Sequence, residues 1–234
     1  MSNLESFGKF VGKKIGETIR KRVENFELDI DGLENLKQLN GKSFLLACNH
    51  VKPKSKNDEQ SQLGPDAFIL ERIVKDSNNQ RLGVLAKADN GRLLFGEEGK
   101  NFQKQIEKPF RGIIKGIGMI PVNKNPGSLN REMLEEIELA VNRKEPVLIF
   151  PEGMWKDDFD PEADLEPGAA HIAKKFNLPI LTAYIRNANE WKKDQEVSVS
   201  FGEIINPSDF EKDDVTEKIK QGIAELQKKS NKTK

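Results

Sequence analysis

The sequence predicts an α/β domain, a central mostly parallel or mixed sheet flanked by helices, on three observations. Short apolar runs such as Ser43–Cys48 and Val147–Phe150 stop abruptly at polar, Pro or Gly residues, as strands covered on both faces do. The stretches between them place apolar residues three and four apart over lengths suited to amphipathic helices. The two kinds of segment alternate along most of the chain, the order that sandwiches a sheet between helix layers.

Residues 1–28 read as an N-terminal amphipathic helix. Leu4, Phe7, Val11, Ile15, Ile19, Val23 and Phe26 form one drifting stripe, and Lys9, Lys13, Lys14, Arg20, Lys21 and Arg22 outnumber Glu5, Glu17 and Glu24 on the other faces. Such a helix suits an anionic membrane surface, and equally the protein's own core. Gly8, Gly12 and Gly16 each cost a free helix ~1 kcal/mol, so the segment calls for a docking surface. The interleaved lysines exclude a membrane-spanning glycine motif.

Residues 29–210 hold the α/β domain. Ser43–Cys48 is a buried strand, and Val51–Pro65, with Pro53 and Gly64-Pro65, is a loop. Ala67–Val74 is helical and Leu82–Ala86 a strand, while Pro109–Ile120 leads into a strand at Met119–Val122. Ser128 is the expected N-cap of a helix through Val141 that turns Met133, Leu134, Ile137 and Val141 inward. Val147–Phe150 is a strand, Gly168–Phe176 a helix, Ile180–Ile185 a strand and Val197–Phe201 an alternating, edge-like strand. Residues 211–234 form a closing helix, Val215–Leu226, and a basic tail, Lys228–Lys234, expected to fray.

Composition bounds the function. Across 234 residues, 38 basic and 38 acidic side chains cancel, which excludes a protein that grips nucleic acid along its whole surface. A single cysteine, Cys48, excludes an intrachain disulfide framework and a Cys-pair zinc site, and within its apolar run it reads as a packing thiol. No apolar run approaches the ~20 residues of a spanning helix. The expected location is therefore cytoplasmic and peripheral, on the inner face of a membrane.

Any imidazole base must be His50 or His171. His171 lies among small residues in Gly168-Ala-Ala-His-Ile-Ala and reads as structural. His50 follows Asn49 just past the end of a buried strand, where open α/β sheets place their ligand sites. Phe150-Pro151-Glu152-Gly153 ends another such strand: Pro151 stops the ladder, Glu152 offers a carboxylate, and Gly153 permits close approach to the backbone. Gly116-Ile-Gly118 lacks the third glycine of a dinucleotide fingerprint, no phosphate loop ends in Gly-Lys-Ser or Gly-Lys-Thr, and no His, Asp and Glu group has metal-ligand spacing.

Asn49-His50, Ile120-Pro121-Val122-Asn123-Lys124, Phe150-Pro151-Glu152-Gly153 and Leu178-Pro179-Ile180 follow one another in an order and at separations that resemble the four blocks of the glycerolipid acyltransferases. That family includes lysophosphatidic acid acyltransferase and glycerol-3-phosphate acyltransferase. The resemblance spans roughly residues 40–190. It implies transfer of a fatty acyl group from an acyl-CoA or acyl-carrier-protein thioester to the hydroxyl of a lysophosphatidic acid or glycerol phosphate acceptor. The thioester serves as co-substrate, and neither a further cofactor nor a metal is expected. His50 would be the base, with an Asp orienting its imidazole.

Three blocks depart from the family pattern. The residue five after His50 is Ser55, not Asp. Asp66, followed by Ala67-Phe68-Ile69-Leu70, has the expected downstream context but is separated from the histidine by fifteen residues, and Asp58 is its rival within the loop. Lengthening the link from four residues to fifteen adds only about 1 kcal/mol of closure entropy. Lys124 stands where the family usually has Arg, and Met154-Trp155 replaces Thr-Arg, with Lys156 next. The expected site is thus His50 and Asp66 as the catalytic pair, with Lys124, Glu152 and Gly153 lining the acceptor side. The altered blocks also suit a second reading, a non-catalytic lipid-binding or membrane-scaffold relative.

Overall fold

The computed structural model describes residues 3–54, 64–87, 103–122, 131–192 and 194–232. Seven strands, β1 (Glu27–Asp31), β2 (Leu45–Cys48), β3 (Gly83–Lys87), β4 (Ile120–Val122), β5 (Val147–Ile149), β6 (Ile180–Arg186) and β7 (Glu196–Ile205), form one sheet in the order β1-β7-β6-β2-β5-β3-β4. All neighbours run parallel except β6 and β7, so the sheet is mixed.

Alternation along the central strands divides the core in two. Leu46 and Cys48 of β2 and Leu148 of β5 face one layer, built from α1 (Asn3–Val23), α2 (Leu33–Lys37), α3 (Asp66–Asn78) and α4 (Gln103–Ile117). Leu45, Ala47 and Val147 face the other, built from α5 (Arg131–Asn142), α6 (Gly168–Phe176) and α7 (Lys212–Lys232). A strand buried on both faces needs apolar residues at every position, which is why β2 reads as a continuous run.

The docking surface for α1 is α4. A Cβ at Gly8 or Gly12 would overlap the carbonyl oxygen of Pro109 or Ile113, and one at Gly112 or Gly116 would overlap that of Glu5 or Lys9. Glycines on both helices therefore bring the two backbones into direct contact. The C-terminal half of α1 is tied down separately. Arg20 forms a two-pronged ion pair with Glu71 on α3, Arg72 donates to the carbonyls of Val23 and Phe26, and Val23 and Phe26 are buried. The N-terminal half leaves Leu4, Phe7 and Phe10 exposed. The predicted stripe thus divides between the core and open surface.

Two expectations change. Val197–Phe201 belongs to β7, which is interior because β1 covers its outer side. The edge is β1 itself, whose alternation of Glu27, Asp29 and Asp31 with Leu28 and Ile30 keeps charge on its open face. The tail does not fray at Lys228: α7 continues to Lys232, with Ser230 buried and its carbonyl accepting a bond from Arg186. Helix α5 is described over Arg131–Asn142, and its expected cap, Ser128, lies outside the described residues.

Candidate active site

Parallel pairing of β2 with β5 matches Leu45 to Val147, Leu46 to Leu148 and Ala47 to Ile149. Carried past the strand ends, that register brings His50 level with Glu152. The His50 amide donates to Glu152 Oε2 at 2.7 Å. The next pairing is Val51 with Lys156, so the register jumps by three residues and Gly153, Met154 and Trp155 loop out. Gly153, at φ +66°, supplies the left-handed turn at the start of this bulge. Lys156 N donates to His50 O at 2.9 Å, and Lys52 N to Lys156 O at 2.8 Å, which pins the backbone on both sides of the histidine. Buried Asn49 clasps β6 through both amide atoms, donating to Ile185 O and accepting from Ile185 N.

The imidazole is held on three sides. Nδ1 lies 2.7 Å from Asp66 Oδ2, and the ring stacks on Phe150 at 3.9 Å between centroids and 12° between planes. Trp155, from the bulge, sits at 5.4 Å and 50°. Asp66 opens α3 and is 1% exposed, and its carboxylate also accepts bonds from Val51 N at 3.2 Å and Ala67 N at 2.8 Å. A buried carboxylate with three donors fixes its partner's orientation. With Nδ1 directed at Asp66, the basic lone pair is on Nε2. His50 is 20% exposed, open enough for a small group to reach that nitrogen.

Two other acids show how the site handles charge. Burial pushes Glu152 up to about 7, against the opposing effects of the His50 amide and the Lys156 charge. Glu152 Oε1 is buried with no hydrogen-bond partner among the described residues. Cys48, fully buried beneath, has its thiol raised by burial and then by the charges of Asp66 and Glu152, which leaves it inert. Burial, with Lys212 and Lys175 nearby, holds the imidazole of His171 below its ordinary value.

The structure brings His50, Asp66, Glu152 and Gly153 together. Lys124 and the rival Asp58 lie outside the described residues. Glu152 faces the main chain of His50 rather than the open cleft. Trp155 was not anticipated beside the histidine, because a register jump leaves no trace in the pattern of residues. The one available sign was an aromatic residue in an otherwise polar turn.

The family model described as Acyltransferase matches residues 27–186, and the chain belongs to that family. The fold is shared with the crystal structure of the 1-acyl-sn-glycerophosphate (LPA) acyltransferase PlsC from Thermotoga maritima. That likeness has a TM-score of 0.51 and 17% identity over 92% of this chain and 81% of that one. No curated protein matches the chain.

Proposed function

We propose that this protein transfers a fatty acyl group from an acyl-CoA or acyl-carrier-protein thioester to the hydroxyl of a lysophosphatidic acid or glycerol phosphate type acceptor, in phospholipid synthesis. The supporting observation is the 2.7 Å contact between His50 Nδ1 and Asp66 Oδ2, made across a link more than three times the usual length. His50 Nε2 removes the acceptor's hydroxyl proton as the oxygen attacks the thioester carbonyl, and buried Asp66 stabilises the resulting imidazolium. Lys124 supplies positive charge for the acceptor phosphate, while Glu152 and Gly153 shape the acceptor side of the histidine.

The exposed Leu4, Phe7 and Phe10, beside exposed Lys9, Lys13 and Lys14, support docking of the α1 tip on an anionic membrane, where a lysophospholipid acceptor resides. Among the described residues no helix is long and apolar enough to cross a membrane. Peripheral docking on the cytoplasmic face fits that surface.

The test is release of free thiol from acyl-CoA and from acyl-carrier protein, with lysophosphatidic acid, glycerol 3-phosphate and an uncharged lysolipid offered in turn. Acceptor-dependent release is expected from the parent. His50→Ala lowers it at least ~10²-fold, the ordinary contribution of a general base, with the fold intact. No release by the parent would favour the lipid-binding scaffold, and undiminished release by His50→Ala would overturn the mechanism.

A further inference from the structure

Trp155 has one polar atom, the indole N–H, and this atom is buried with no hydrogen-bond partner among the described residues. An orphaned buried donor is costly, so it needs a physical account. The other side chains in that condition each engage a second polar atom: Asn78 donates to Leu36 O, Arg186 to Ser230 O, Gln195 to Asn187 O, and Glu152 accepts from His50 N. Trp155 has no second atom to offer. It also differs in place, standing 5.4 Å from the imidazole of His50 between ring centroids, at the tip of the three-residue bulge between the two backbone pairings that pin the histidine. An indole N–H only donates, so the group it calls for is an acceptor, and a carbonyl oxygen of a substrate at His50 is one.

We propose that Trp155 is the oxyanion donor of the reaction, its N–H bonding the carbonyl oxygen of the acyl thioester as negative charge develops there. The inference rests on the acyl-transfer reading above. The acceptor's hydroxyl oxygen bonds to the acyl carbon while its proton passes to His50 Nε2, and the carbonyl π electrons move onto oxygen, where the indole N–H meets them. Collapse re-forms the carbonyl and breaks the carbon–sulfur bond. The departing thiolate takes the proton back from Nε2, giving ester and free thiol. The N–H belongs to a water-poor aromatic wall, where a single donor counts for more than it does in water. The same wall explains how a chain with Met154-Trp155 in place of Thr-Arg can retain the chemistry: an uncharged donor serves the acyl carbonyl, and positive charge for a phosphate lies elsewhere.

The experiment compares two analogues of acyl-CoA of equal chain length, bound to the full-length protein carrying ¹⁵N-tryptophan. One is a ketone in which a methylene replaces the sulfur and the carbonyl remains, and the other is a thioether without a carbonyl. The indole resonance of Trp155, assigned by its loss in Trp155→Phe, is expected to move downfield with the ketone and to stay within its width with the thioether. In the transfer assay Trp155→Phe should lower kcat on the order of 10²-fold, the usual effect of removing one oxyanion donor, with KM for acyl-CoA within about twofold. Equal shifts with both analogues, or a Trp155→Phe protein with parental kcat, would overturn the assignment. If neither analogue perturbs any resonance, the acyl-thioester reading fails and takes this inference with it. If both bind and only the Trp155 signal is indifferent, the acyl-transfer reading stands and this inference alone falls.

Discussion

The end of β2 and the first turns of α1 both face outward, yet they are built by opposite means. At His50, hydrogen bonds set the position: the amide to Glu152, the carbonyl from Lys156, and Nδ1 against Asp66. Phe150 supports the ring from one face, and Nε2 remains for a substrate. At the tip of α1 the hold is close backbone contact, with Gly8 and Gly12 pressed against the backbone of α4 and Glu5 paired with Lys115 at 3.7 Å, while Leu4, Phe7 and Phe10 project away from it. The first arrangement fixes the place of one atom. The second presents a surface whose exact atoms matter little. Chemistry requires the former, and adhesion to a fluid lipid surface is satisfied by the latter, so substitutions should separate the two regions cleanly.

The largest effect should come from Asp66. Asp66→Asn removes the charge that stabilises imidazolium and can reverse the histidine tautomer, so transfer should fall on the order of 10³-fold, while Asp58→Asn leaves it near the parental rate. Steady-state kinetics checks the ranking. A crippled Asp58→Asn beside an active Asp66→Asn would place the dyad inside the loop and break the contrast between a rigid site and an adaptable tip.

How far the sequence foretold each region follows from the same physics. Apolar runs report burial directly, so β2, β5, β6 and the helices α3 and α6 lie where periodicity puts them. Edge strand β1 and short α2 were missed, because alternating charges and a five-residue helix carry weak patterns. The stripe on α1 suggested one apolar face, whereas the buried face of its first half is made of glycines, which no hydrophobicity pattern reveals. Around His50, the pairing of strand ends was legible from residue types and order. The direction of Glu152 and the bulge carrying Trp155 were not, because both depend on a register shift that arises only when two distant strands meet.

Membrane adhesion should be the next largest effect. Phe7→Ser combined with Phe10→Ser removes two exposed apolar side chains and touches no core contact. Sedimentation with anionic liposomes should weaken at least ~10-fold, given the transfer energy of even partly buried aromatic rings. Added salt should weaken the parent by screening the neighbouring lysines, and thermal stability should not change. Undiminished binding by the double variant would show that lipid contact lies elsewhere.

Gly12→Ala tests the backbone contact. Its Cβ would overlap the Ile113 carbonyl, so α1 and α4 must separate. Overpacking of this kind costs about 1–3 kcal/mol, against which alanine's helix preference returns ~1 kcal/mol. A net loss of about 0–2 kcal/mol corresponds to a fall of up to about 8 °C in Tm for a chain of this length. Calorimetry reads it, and the turnover of the folded fraction on a detergent-dispersed acceptor should stay parental. A raised Tm would mean that the helices are not in backbone contact.

The smallest effect concerns Glu152, and its sign is opposite to that of a salt-bridged carboxylate. Burial lifts the folded-state value to about 7 from an ordinary 4.5, so between those values the native protein holds a proton that the unfolded chain has released. Stability therefore falls as pH rises through this window. Below it both states are protonated and the burial penalty is absent; above it both are ionised and the penalty is complete. Glu152→Gln keeps an oxygen for the His50 amide and cannot ionise. Its Tm relative to the parent should accordingly rise between pH 4.5 and 7 and level off above, a difference of differences that cancels any fixed cost of the amide. Transfer by Glu152→Gln should remain within a few-fold of parental, because the histidine backbone stays pinned, whereas Glu152→Ala, which leaves the His50 amide without its acceptor, should lose more in kcat than in KM. If the relative Tm is flat across that range, the carboxylate is solvated and open to the cleft, and Glu152 belongs with the groups that touch the acceptor rather than with those that hold His50.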